Sequence, residues 1–154
     1  MRTLDLRNPA HLLATGFGSG LAPRAPGTVG TLAALALWWP LHFLSIELYW
    51  LVIAVGSIAG IYICGRTARD QGTHDHGSIV WDEFIGMWIA LAWIPVSIAW
   101  VAAAFVLFRV LDIFKPWPIS WFDKNVHGGV GIMIDDVVAG LIALALLRAA
   151  AAFI

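Results

Sequence analysis

Charged side chains in this chain fall almost entirely in three short stretches, residues 2–28, 64–83 and 109–136, with long apolar runs between them. That segregation narrows the possible folds sharply. A soluble domain spreads charge over the outer face of every surface helix, whereas a membrane protein clears it from its spans and collects it at an interface. Hydrophobic residues make up 60% of the 154, more than a small soluble domain has interior to hide. The chain is expected to form one integral-membrane domain over residues 1–154.

Several classes drop out early. A net charge of −1 leaves no basic patch for nucleic acid. Cys64 is the single cysteine, so it makes no internal disulfide and no C-x-x-C metal motif, and a buried inert thiol is expected. Arg2, Asp5 and Arg7 are followed by neither a continuous apolar core nor a small-residue cleavage site, so the N-terminus does not read as a signal peptide.

The apolar runs predict an all-α, polytopic bundle of about five helices, over residues 29–44, 48–64, 84–94, 97–111 and 137–154. The third and fourth are short for a crossing, which takes about 20 residues. Pro95 separates them, either as the turn of a hairpin or as a kink in one helix. The hairpin is preferred, because it returns the polar residues before Phe84 and after Leu111 to one side. Arg2, Arg7, Arg24, Arg66, Arg69, Lys115 and Lys124 then share that side, with Arg109 close to it, and the side is expected to be cytoplasmic. His42, Glu47, the Pro95 turn and the C-terminus fall opposite, where Arg148 would snorkel from the last helix. Trp50, Trp81, Trp100, Trp117 and Trp121 suit interfacial anchoring. No internal duplication supports an inverted-repeat transporter.

Asp82 and Glu83 stand at the expected start of one helix, and Asp135 and Asp136 at the start of the last. A single acidic pair there is explained by the helix dipole. Two pairs at one face repel unless a cation lies between them. Mg²⁺ prefers oxygen ligands and shares them with phosphate, so the pairs point to a Mg²⁺ site open to a phosphate. Arg109 and Asp112 lie three apart on one helix face. They form either an ordinary ion pair, or a phosphate clamp beside a further metal ligand. Lys115 is either a solvated interfacial lysine or a point charge for phosphate. His127, in the glycine-rich segment 123–131, is a structural residue or a proton donor to a leaving oxygen. The Gly/Pro-rich segment 16–28 is neither a Walker A loop nor G-x-G-x-x-G. It reads as a turn into the first span, or as a loop against a phosphorylated headgroup with Ser19 and Thr28 as contacts. His74-Asp75-His76 lacks zinc-site spacing, and Asp70 beside Arg69 reads as a solvated charge.

Taken in order, several long motifs resemble the phosphatidylglycerophosphatase A family of bacterial lipid phosphatases. They are His11-Leu-Leu-Ala-Thr-Gly-Phe-Gly-Ser-Gly-Leu, Pro26-Gly-Thr, His74-Asp-His-Gly-Ser-Ile-Val-Trp-Asp-Glu-Phe-Ile-Gly-Met-Trp, Phe108-Arg-Val-Leu-Asp, Lys115-Pro-Trp-Pro-Ile and Asn125-Val-His-Gly-Gly-Val-Gly-Ile-Met-Ile-Asp-Asp-Val-Val-Ala-Gly. The resemblance runs from about Asn8 to Gly140. It implies Mg²⁺-dependent hydrolysis of phosphatidylglycerophosphate to phosphatidylglycerol and inorganic phosphate at the inner membrane. The family's acidic, metal-binding character carries by motif onto Asp82, Glu83, Asp135 and Asp136, and more loosely onto Asp112. The expected catalytic set is Asp82, Glu83, Asp136, Arg109 and His127, with Glu83 as base. Ser19, Thr28, Arg109 and Lys115 are the expected substrate contacts. Two other classes stay in view. A headgroup transferase would need the D-G-x-x-A-R pattern, which is absent, and a cation channel or transporter subunit would want carboxylates in mid-span. The oligomeric state is not written in the sequence.

Overall fold

Helix signals in the sequence act where the chain places them. The computed structural model describes residues 3–154, so Arg2, counted above with the basic side, lies outside them. Asn8 caps α1 (Pro9–Ala14) by accepting from the Ala10 N–H at 3.0 Å. Pro26 opens α2 (Pro26–Leu41) at a position where its missing N–H costs nothing. Ser45 caps α3 (Ile46–Gln71), which Gly72 ends in the left-handed conformation, φ 69°. Next come α4 (Trp81–Leu91), α5 (Ile98–Phe114) with Ser97 as its cap, α6 (Ile119–Asn125) and α7 (Gly128–Ala152). A 3₁₀ turn, Ser19–Leu21, lies between α1 and α2.

The described residues form seven α-helices and no strand, where about five helices were expected. The two extra ones, α1 and α6, are short and amphipathic and sit outside the apolar runs that guided the expectation. Two helices, α3 and α7, are long and apolar enough to cross a membrane. The break at Pro95 is a turn: α4 ends at Leu91, α5 begins at Ile98, and the two pack together. At 11 residues α4 measures about 16 Å, well short of a hydrocarbon layer of about 30 Å. It is instead the most enclosed helix, buried continuously from Phe84 to Leu91 and packed on α2, α3, α5 and α7.

The last helix departs most from expectation. It starts at Gly128, not near Val137, so Asp135 and Asp136 lie two turns inside it. Gly128, Gly129 and Gly131 lie within the helix although glycine disfavours helix and the glycine-rich segment had read as loop. His74, in the loop after α3, accepts from the Gly128 N–H at 3.1 Å and so satisfies one of the first amides of α7.

Close crossings set the geometry. Gly86 of α4 lies against α7, where a Cβ would stand 2.7 Å from the Asp136 carbonyl oxygen and 2.5 Å from the Phe108 ring. Gly140 of α7 meets the Gly86 carbonyl from the other side. Asp82 precedes Gly86 by one turn, and Asp136 precedes Gly140 by one turn. Residues four apart share a helix face, so this one crossing brings both carboxylates together.

The tryptophans divide between surface and interior. Trp117 and Trp121 are exposed, as anchors would be. Trp81 is tucked against α3 and donates to the Gly56 carbonyl at 3.0 Å. Trp88 is buried and donates to the Ala34 carbonyl of α2 at 2.9 Å. At the end of the molecule away from the acidic residues, Arg148 donates to the Trp93 carbonyl at 2.8 Å, bracing the α4–α5 turn. Cys64 is fully buried. Asp70, expected to be solvated, pairs with buried His11 at 3.0 Å and ties α1 to α3.

Candidate metal and phosphate site

The acidic cluster is built by the first turn of α4 and the third turn of α7, with the end of α5 and the start of α2 beside it. Asp82 and Glu83 come from the first turn of α4, and Asp136 from α7. One carboxylate oxygen from each of these three lies within 4.8 Å of the others. Asp82 Oδ1, Glu83 Oε2 and Asp136 Oδ2 are buried and have no hydrogen-bond partner. Three like charges desolvated together and left unpartnered are unfavourable by several kcal/mol each, roughly. A divalent cation is a group whose charge and oxygen preference answer that arrangement. The donor set therefore fits a divalent metal ion.

Asp112 and Arg109 sit on the last turns of α5. Arg109 donates to Asp112 in a short ion pair and stands 3.7 Å from Glu83 Oε1. Asp112 stands close enough to Asp136 for their charges to repel. The guanidinium thus borders the cluster on one side, and its Nε is buried without a partner.

Adjacent positions on a helix point in directions about 100° apart, and the two acidic pairs use this differently. Asp82 and Glu83 both face the cluster. Asp135 turns away from Asp136 and accepts from Lys115 Nζ at 2.7 Å. Lys115 also donates to Asp123 at 2.7 Å. Partial burial works against the charge on Lys115, but Asp123 and Asp135 more than offset it and hold the ammonium above its usual range. Asp75 belongs to the 72–77 loop and lies close enough to Asp135 and Lys115 to feel their charges. Lost hydration first, and then Asp135, push its carboxyl group up to about 6.

The first turn of α2 closes the site from above. Gly27 lies directly over the Glu83–Arg109 pair: a Cβ there would stand 2.7 Å from Glu83 Oε1 and 3.0 Å from Arg109 Nη2. Ala25 caps the helix in the left-handed conformation with no side-chain bond to its first amides. An uncapped helix start beside an arginine is favourable for an anion. Sequence reasoning picked Ser19 and Thr28 from this segment and passed over Gly27. The signal was present, because Pro26 marks the helix start and a glycine one residue on permits close approach. Thr28 follows Gly27 in the same turn. Ser19 donates to the Gly16 carbonyl at 2.8 Å and braces its own loop. His127 is the exposed N-cap of α7, edge-on to His74 with ring centroids 5.4 Å apart. It lies about 13 Å along the α7 axis from Asp136.

Comparison with known proteins adds to this geometry. A family model described as Phosphatidylglycerophosphatase A matches residues 12–151. The chain belongs to the phosphatidylglycerophosphatase A family. It is 61% identical over 145 residues to phosphatidylglycerophosphatase A of Escherichia coli (strain K12), covering 94% of this chain and 84% of the relative. It is 50% identical over 146 residues to phosphatidylglycerophosphatase A of Haemophilus influenzae, covering 94% of this chain and 90% of the relative. No solved structure matches it. Membership places the chain among phosphatase hydrolases. It gives no support to the channel or transferase readings.

Proposed function

We propose that this chain is a single-domain, Mg²⁺-dependent lipid phosphatase of the bacterial inner membrane. It hydrolyses phosphatidylglycerophosphate to phosphatidylglycerol and inorganic phosphate on the cytoplasmic side. The observation that carries the reading is the convergence of the unpartnered Asp82, Glu83 and Asp136 oxygens beside Arg109 and the α2 start. The family relationship names the substrate. The apolar length of α3 and α7, with exposed Leu51, Val55 and Ile58 along α3, supports a lipid environment.

Asp82, Glu83 and Asp136 would hold the cation, which supplies charge neutralisation and Lewis-acid polarisation to a phosphate monoester. Asp112 orients Arg109 through their ion pair and stands beside the cluster as a further candidate ligand. Arg109 and the first-turn amides of α2 bind the non-bridging phosphate oxygens and stabilise the charge that grows on them. Asp135 holds Lys115 at the rim, where the ammonium attracts the anionic headgroup. Thr28 lies in the turn that meets the phosphate, and Ser19 shapes the loop that leads into it. Glu83, besides bordering the cation site, accepts the proton of the attacking water as the water oxygen bonds to phosphorus. The phosphorus–glycerol oxygen bond then breaks, and the departing oxygen takes a proton from water; His127, about 13 Å along α7 from Asp136, is too distant for the donor role expected of it.

Phosphate release from purified protein tests this directly. A panel of lipid phosphates is presented in detergent micelles with Mg²⁺ and with chelator. Release from phosphatidylglycerophosphate is expected with Mg²⁺, lost with chelator and restored by Mg²⁺. Turnover that persists at full rate in chelator would remove the cation from the reading.

A further inference from the structure

Helices α2 and α5 flank α4 and approach each other at the polar end, where Gly27 packs on the Arg109 guanidinium. Away from that contact they diverge and leave an apolar cleft of about 590 Å³. Leu32, Leu35 and Trp38 line it from α2, and Ala102, Phe105 and Val106 from α5. The cleft begins close to the phosphate-binding end. Val106 is about 4.5 Å along α5 from Arg109, and Leu32 about 7.5 Å along α2 from Gly27. Its volume falls within the range of small-molecule sites, of about 300–1,000 Å³. Trp38 forms a buried floor, while Leu32, Trp39 and Val106 are exposed at the rim.

We propose that this cleft is the acyl-chain subsite of the enzyme, holding one fatty-acyl tail of the lipid whose phosphate sits at Arg109. The inference rests on the lipid-phosphatase reading above. Its own ground is that the two helices walling the cleft are the two that meet at Gly27–Arg109, with Leu32 and Val106 within about two turns of that contact. A headgroup fixed at the apex has its tail directed along the walls. Polar rejection at the apex and apolar fit below would then select a membrane-anchored phosphate monoester over a soluble one. Bulk lipid has no phosphate monoester to seat at the apex, so it gains only the apolar half.

The test separates this subsite from the activity itself. Ala102→Trp fills the cleft, with Ala102→Leu as a milder version, and Ile58→Trp on the outer face of α3 serves as the control. With a dioleoyl substrate in mixed micelles, Ala102→Trp is expected to lower kcat/KM about tenfold or more, mostly through KM. A dihexanoyl substrate should be little affected, and Ile58→Trp should change neither. If Ala102→Trp does not fold, the same chain-length split is expected in smaller measure for Ala102→Leu. Equal losses with both substrates, or no loss with either, overturn the proposal. A second readout needs no turnover. A phosphatidate with a photoactivatable acyl chain should cross-link to α2 and α5 in the cleft more than the matching phosphatidylcholine does. Equal cross-linking by the two lipids also overturns the subsite. Preferential cross-linking without phosphate release from any lipid would keep the subsite and overturn the hydrolase reading.

Discussion

At the scale of single residues, the two aspartates of the last helix are neighbours in sequence and differ in situation. Asp136 meets Asp82 and Glu83, while Asp135 meets Lys115. The functional reading therefore predicts different outcomes for the same chemical change. Asp136→Asn should lower turnover by more than about 100-fold, beyond what loss of a supporting contact usually costs. It should also remove the Mg²⁺-dependent rise in Tm expected of a native-state ligand. Without Mg²⁺ the variant should melt higher than the parent, because one of three crowded charges has gone. Asp135→Asn should keep the Mg²⁺-dependent rise and lose only about 10-fold in turnover. Thermal unfolding with and without chelator, run beside the assay, checks both variants. Wild-type turnover in Asp136→Asn would falsify the cluster's role. The residue types were readable from the chain, since carboxylates, arginine and lysine at the ends of apolar runs announce a polar site. Which carboxylate faces which partner was not, because that depends on the rotation of each helix about its axis.

At the scale of elements, one crossing does most of the positioning. Gly86 and Gly140 allow α4 and α7 to touch backbone to backbone, one turn from Asp82 and Asp136. Gly86→Ala should push the helices apart, lowering stability by about 1–3 kcal/mol. Turnover should fall further than stability alone accounts for, because a misplacement of about 1 Å at a site can cost 100-fold. Gly77→Ala is the comparison: its nearest neighbour, Pro26 Cγ, is 3.9 Å from the added Cβ, and it should be tolerated. Tm and kcat measured together distinguish the two. The α4–α5 hairpin was legible from Pro95 and from the need to return charge to one side. The early start of α7 was not, because its first two turns carry glycines and flanking polar residues that read locally as loop. Packing of Gly129 against α3 and the His74 bond at Gly128 stabilise helix there, and both partners are distant in sequence.

At the scale of the whole molecule, the acidic cluster and the α4–α5 turn lie at opposite ends, and the membrane reading turns this into a topology. Lys124→Cys places a thiol at the polar end, and Phe153→Cys places one at the other. Cys64 is fully buried and should stay unlabelled. In intact spheroplasts an impermeant maleimide should label Phe153→Cys and spare Lys124→Cys, and lysed membranes should label both. The reverse pattern would invert the orientation, and labelling of both in intact cells would remove the bilayer between them. From the chain alone it was legible that the protein is helical, that its charge collects in three short stretches, and that its motifs resemble those of a lipid phosphatase family. Those properties are set by composition and by order along the chain, which local periodicity and hydropathy record. It took the fold to show that Asp82, Glu83 and Asp136 meet in one cluster, that Asp135 serves Lys115, and that Gly27 covers Arg109. Each of those facts is a contact between distant segments, fixed by how closely two helices approach and which face each one turns.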